Sequence, residues 1–329
     1  MLLPAGSGTN PFNSREGHMQ RKEFFPIVLC SMFSLLVGAS HARADEDCRY
    51  ASRPAISFVE IQSLDLRTQQ PLTVKGKLNV PVEKSRHGTC SQTRQGRPVV
   101  VILHGSAGVD SRGNFYARAL NDRGIATLEI DMWEARGVTG VANRPSHPIF
   151  TYPDAFAALA FLSSYPGINP DRIGVLGFSW GGVVTMASAT EAYATRFGGA
   201  LRFKAHVAHY PVCYVYNNPY IPYSEFGGNA SNPLTGAPIL IQVGENDGYD
   251  DGAAPCVALK ASLPAAEQDL VTVVTYEETY HAWDRLQVPV TAEDPFAHLG
   301  AGGTIQIKPS VDQAYRAQKK AVQFFAENL

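Results

Sequence analysis

One serine stands between glycines in IGVLGFSWGGVVT, the stretch from Ile173 to Thr185, where an apolar run gives way to small residues. Gly177, Phe178, Ser179, Trp180 and Gly181 fit G-x-S-x-G, the elbow pattern in which a sharp turn between a strand and a helix lifts a hydroxyl above the sheet edge. Glycine is needed because side chains beside such a turn collide. A serine hydroxyl is a weak nucleophile, so the chemistry also requires a base and an acid that orients the base. The segment ILIQVGENDGYDD runs off a strand and presents Asp247 as the acid, with Asp250 and Asp251 competing for the role. TYEETYHAWD runs off a later strand and presents His281 as the base. His206, His209 and His298 are the competing histidines; the first two fall on or at the end of a strand and read as core or sheet residues. A developing oxyanion needs amide donors, for which the candidates are Trp180, just after the serine, and Ser106 or Ala107 in the loop His104–Gly108, HGSAG.

These residues need a frame that brings strand ends together. Strand-like runs fall at Ala55–Ile61, Leu72–Val80, Pro98–Leu103, Ile125–Ile130, Arg172–Gly177, Ala205–His209, Pro238–Val243 and Val271–Tyr276. Helix-like runs fall at Asn114–Arg123, Tyr152–Ser164, Gly181–Thr190, Ala253–Leu263 and Val311–Glu327. The alternation predicts an α/β fold, a mostly parallel sheet with helices on both faces and an antiparallel start. Serine, acid and histidine then each follow the carboxyl end of a strand, where open parallel sheets carry their sites. Ser85–Gly96 and Tyr214–Gly236 are surface excursions, the second placed to act as a short lid. Residues 45–329 form one domain.

With 45% hydrophobic and 18% charged residues and a net charge of -2, the 329-residue chain supports one large core and disfavours nucleic acid as a partner. Arg21 and Lys22, the apolar run Phe24–Val37 and the site Ala42, Arg43, Ala44 have the layout of a secretory signal peptide spanning residues 1–44, with Met19 as a possible true start. The expected location is secreted or periplasmic, with no stable membrane anchor after cleavage. The exported part holds Cys48, Cys90, Cys213 and Cys256, an even number suited to an oxidising compartment. Three pairings are possible, and the expected one joins Cys48 to Cys90 and Cys213 to Cys256.

Together VVVILHGSAG, IATLEIDMWEARG, RIGVLGFSWGG, ILIQVGENDG and YHAWD resemble the dienelactone hydrolase family of α/β-hydrolases over residues 55 to 329. The resemblance implies hydrolysis of a small ester or lactone through an acyl-enzyme, with no metal or organic cofactor, and puts nucleophile, acid and base on Ser179, Asp247 and His281. The founding enzymes use a cysteine nucleophile and a glutamate beside the first-loop histidine, where this chain has Ser179 and Gly105. That difference points to serine esterase chemistry. The resemblance also places the arginines that hold a substrate carboxylate at Arg136 and Arg285, with structural salt bridges to neighbouring acids as the other reading. Trp133, Trp180, Trp283 and Tyr249 are candidates for an aromatic wall. A peptidase or acyltransferase on the same triad, or a non-catalytic binding protein retaining the fold, are the alternatives.

Overall fold

In the computed structural model the described residues are Tyr50, 53–83, 95–222, 225–227 and 232–329. The expected signal peptide, Cys48, Cys90 and most of the Ser85–Gly96 loop lie outside them.

Apolar runs bounded by turns build the sheet. Strands β1 (Ala55–Asp65) and β2 (Gln70–Val80) form the antiparallel start, followed by β3 (Arg97–Leu103), β4 (Ala126–Asp131), β5 (Ile168–Phe178), β6 (Ala205–His209), β7 (Ile239–Asn246) and β8 (Val271–Tyr280). They make one eight-stranded sheet in the order β1-β2-β4-β3-β5-β6-β7-β8. β2 is antiparallel to both neighbours, and β3 to β8 run parallel.

The period-two alternation of β3 shows how both faces are filled. Val99, Val101 and Leu103 point into a core with α2 (Tyr152–Ser163) and α3 (Trp180–Ser188), through Phe156, Leu159 and Val184. Val100 and Ile102 point the other way, toward α1 (Ser111–Asn121) and the last helix. That helix, which with α4 (Glu191–Gly198) and α5 (Ala254–Ser262) becomes α6 (Val311–Asn328), lays Ala314, Ala317, Ala321 and Phe325 on the sheet at helical spacing. Of these, the fully buried Phe325 side chain contributes about 1.5–3 kcal/mol. Asp110 caps α1 by accepting the amide of Arg112.

Two features depart from the sequence reading. The expected helix Gly181–Thr190 ends at Ser188, and α4 follows as a separate helix. Past β8 the chain also forms a two-stranded hairpin, β9 (Val290–Asp294) with β10 (Gly303–Ile307), antiparallel and separate from the main sheet. Beyond β3 the sheet order divides, with β4 on one side and β5 on the other. The crevice at such a division is where open α/β sheets place ligands.

Candidate active site

The elbow is built from steric necessity. Ser179 sits at φ 51°, ψ -109°, a left-handed conformation strained for a residue with a Cβ. A Cβ on Gly177 would overlap the carbonyl oxygen of Gly181, and one on Gly181 would overlap that of Leu103. The turn is tied to both neighbouring strands: the Ser179 amide donates to His209 O (3.0 Å) and the Gly181 amide to His104 O (3.1 Å).

Above it, Ser179 Oγ lies 2.9 Å from His281 Nε2, and His281 Nδ1 lies 2.8 Å from Asp247 Oδ2. The structure thus brings together the three residues singled out from the sequence. It also separates Asp247 from its competitors. Asp250 turns away and accepts the amides of Cys213 and Tyr214, both at 2.7 Å; burial, and then the charge of Asp247, push its carboxyl up to about 7. Asp251 pairs with His298 at 2.6 Å on the surface. His206 and His209 are buried in β6, as expected, and burial lowers both to about 4.

Behind His281, in the loop that follows β8, the carboxylate of Asp284 is buried. It accepts the hydroxyls of Tyr210 (2.5 Å) and Tyr116 (2.8 Å), and Arg112 donates to Tyr210 at 3.0 Å. The Tyr210 ring packs edge-on against the His281 ring, 4.7 Å between centroids. This network holds the histidine loop from the core side. Its members come from three segments far apart in sequence, α1, the end of β6 and the loop after β8, and carry no shared motif.

Of the two first-loop donors, Ser106 borders the cavity with Ser179, whereas Ala107 is exposed and borders a separate depression beside Asp131. A turn closed by the Gly108 amide on Gly105 O carries both. Trp133 Nε1 donates to Ser106 O at 3.1 Å and fixes that peptide. Trp180 is the first residue of α3, so its amide has no intrahelical carbonyl to bond.

The cavity beside Ser179 opens to solvent. Trp180, Val183, Val212, Val215 and Phe296 give it mostly apolar walls. Ile221 and Pro222, from the Tyr214–Gly236 excursion, also line it. A disulfide between Cys213 and Cys256 joins the base of that excursion to α5, as the expected pairing has it, and Asp250 holds the same turn. Of the expected aromatic wall, Trp180 and Tyr249 line the cavity. Trp133 packs behind Trp180 at 5.3 Å, and Trp283 is buried in the core.

The two arginines that the family resemblance assigned to substrate are spent elsewhere. The side chain of Arg136 is fully buried in a bidentate pair with Asp154 (2.6 and 3.1 Å) and donates to Met132 O and Phe150 O. Arg285, with its side chain 25% exposed, pairs with Asp110 at 3.0 Å, and neither arginine lines the cavity. The arginine that does line it is Arg144, which the sequence reading missed. It lies in the long connection between β4 and α2, outside every motif, and its partner Asp294 is on the unexpected hairpin.

A family model described as "Alpha/beta hydrolase family" matches residues 100–326. The chain belongs to that family. The chain is also similar to Uncharacterized protein PA2218 of Pseudomonas aeruginosa, 27% identical over 141 residues, or 42% of this chain. It spans about a third of that relative's length, 36%. Among solved structures it resembles a dienelactone hydrolase from Anabaena variabilis (TM-score 0.53, 17% identity, 84% of this chain and 99% of that one). It also resembles Thermogutta terrifontis esterase 2 phosphoramylated by tabun (TM-score 0.56, 13% identity, 83% and 95%). At these identities the likeness is one of fold, and the fold of the chain is dienelactone hydrolase-like.

Proposed function

We propose that the hydrolase cleaves a small carboxylic ester or lactone through an acyl-enzyme on Ser179. The observation that carries this reading is the continuous path from Ser179 Oγ through His281 to Asp247, at 2.9 and 2.8 Å. With Asp247 accepting a hydrogen bond from Nδ1–H, Nε2 presents its lone pair to the serine hydroxyl. His281 takes that proton as Oγ attacks the carbonyl carbon, then gives it to the departing alcohol oxygen. Water repeats the path: His281 deprotonates it, its oxygen attacks the acyl carbon, and the proton returns to Ser179 as the acid leaves. The amides of Trp180 and Ser106 are the proposed oxyanion donors, each worth on the order of 3 kcal/mol of barrier. The apolar cavity would hold the acyl or alcohol group.

The test is hydrolysis of para-nitrophenyl butyrate by Ser179→Ala and His281→Ala. Each is expected to lose activity by about 10³-fold or more with the fold intact. Retained turnover in folded Ser179→Ala would move the nucleophile elsewhere.

We infer further that the protein works outside the cytoplasm, in the periplasm or beyond. Support comes from the basic and apolar segment before Asp45 and from the Cys213–Cys256 bond, which persists in oxidising compartments. Alkylation of the exported protein under non-reducing conditions should leave Cys213 and Cys256 unmodified.

A further inference from the structure

Arg144 is the residue with a full formal charge at neutral pH among the described residues lining the Ser179 cavity. Its guanidinium pairs with the β9–β10 hairpin, where Nη2 donates to both oxygens of Asp294 at 3.1 and 3.0 Å. The pair is withdrawn from water, with side chains 9% and 3% exposed. Aromatic rings frame it: the guanidinium carbon lies 5.8 Å from the Trp180 ring centroid and 5.4 Å from that of Phe296. Asp294 is further fixed by the Tyr249 hydroxyl (3.0 Å) and the Phe296 amide (2.9 Å), and the Tyr249 ring packs 4.4 Å from the His281 ring. One carboxylate therefore neutralises the charge of the cavity wall and ties that wall to the aromatic ring against the histidine.

We propose that Asp294 reserves the site for uncharged esters by holding Arg144 in this ion pair. The inference rests on the ester-hydrolase reading of the same site. In an apolar, poorly hydrated wall a lone guanidinium would attract a substrate carboxylate strongly. With Asp294 in place, an incoming carboxylate meets a neutral pair and must displace or crowd the resident one. An uncharged acyl chain meets only rings and aliphatic groups. Burial, and then the Asp294 charge, hold the Tyr249 hydroxyl well above its ordinary range, so it remains a donor to Asp294 throughout neutral and mildly alkaline pH.

The experiment compares kcat/KM for para-nitrophenyl butyrate and para-nitrophenyl hemisuccinate, which differ in having a methyl or a carboxylate at the chain end. The native protein is expected to favour the butyrate. Asp294→Asn keeps the shape, removes the charge, and is expected to move the ratio toward the hemisuccinate by about tenfold or more, the scale of one charge-assisted hydrogen bond. Adding Arg144→Met should erase that gain. Arg144→Met alone leaves the Asp294 carboxylate facing the cavity and should lower the relative rate of the hemisuccinate, which carries the test if Asp294→Asn does not fold. A native preference for the hemisuccinate, an unchanged ratio in folded Asp294→Asn, or a gain that persists without Arg144 overturns the inference. Persistence of butyrate hydrolysis in Ser179→Ala would instead defeat the underlying ester-hydrolase assignment.

Discussion

Arg136→Met separates a structural arginine from a substrate clamp. The native guanidinium makes two hydrogen bonds to Asp154 and one each to Met132 O and Phe150 O, and both charged side chains are 0% exposed. Methionine fills much of the volume but leaves Asp154 buried with only the Ser63 hydroxyl, at 2.6 Å, as a remaining side-chain donor. Breaking a buried pair from one side costs about 3–5 kcal/mol. For a domain of this size that lowers Tm by on the order of 10 °C. Burial already raises the Asp154 carboxyl against the lowering effect of Arg136, so without the arginine its folded pKa should rise further. A raised folded pKa means that the unfolded state binds fewer protons, so the deficit relative to the native protein should grow as pH climbs past the native Asp154 pKa and shrink in acid. The assay is thermal unfolding at several pH values, alongside the ratio of hemisuccinate to butyrate hydrolysis. A variant as stable as the native protein that loses the hemisuccinate selectively would refute this reasoning and restore Arg136 to the substrate.

Replacing Cys213 and Cys256 together by alanine should lower stability by about 2–4 kcal/mol, since the cross-link closes a loop with a sequence separation of 43; chemical denaturation measures it, and an unchanged midpoint would contradict the bond's role. His206, lowered by burial to about 4, is neutral in the fold and protonates once the chain unfolds. Its contribution is therefore present above about 6.5 and lost as pH falls toward 4, with a slope near 1.4 kcal/mol per pH unit. His206→Gln should reduce proton uptake on unfolding in that window by about one, read as a shallower pH dependence of the unfolding free energy.

The parts of the site that were legible in the sequence are those whose chemistry is local. An elbow needs glycines within two residues of Ser179, and Asp247 and His281 follow strands whose apolar runs mark them. Within DGYDD the sequence favours Asp247 without excluding Asp250 and Asp251; contacts made on folding exclude them, since the amides of Cys213 and Tyr214 claim Asp250 and the His298 ring claims Asp251. The arginines were illegible for the same reason at longer range. Arg285 finds Asp110 and Arg144 finds Asp294 only after folding. The β9–β10 hairpin escaped because each strand has five residues, too short an alternation to stand out, and Ile305 is its one buried apolar residue.

The central claim, that Ser179 is an activated nucleophile, is met most directly by titrating the native protein with a fluorophosphonate and reading intact mass, adduct position and remaining butyrate hydrolysis together. One adduct per chain on the peptide bearing Ser179, with activity lost in proportion and no labelling of His281→Ala on the same timescale, is the expected result. An adduct on another residue, or full activity in a protein fully labelled at Ser179, would contradict it.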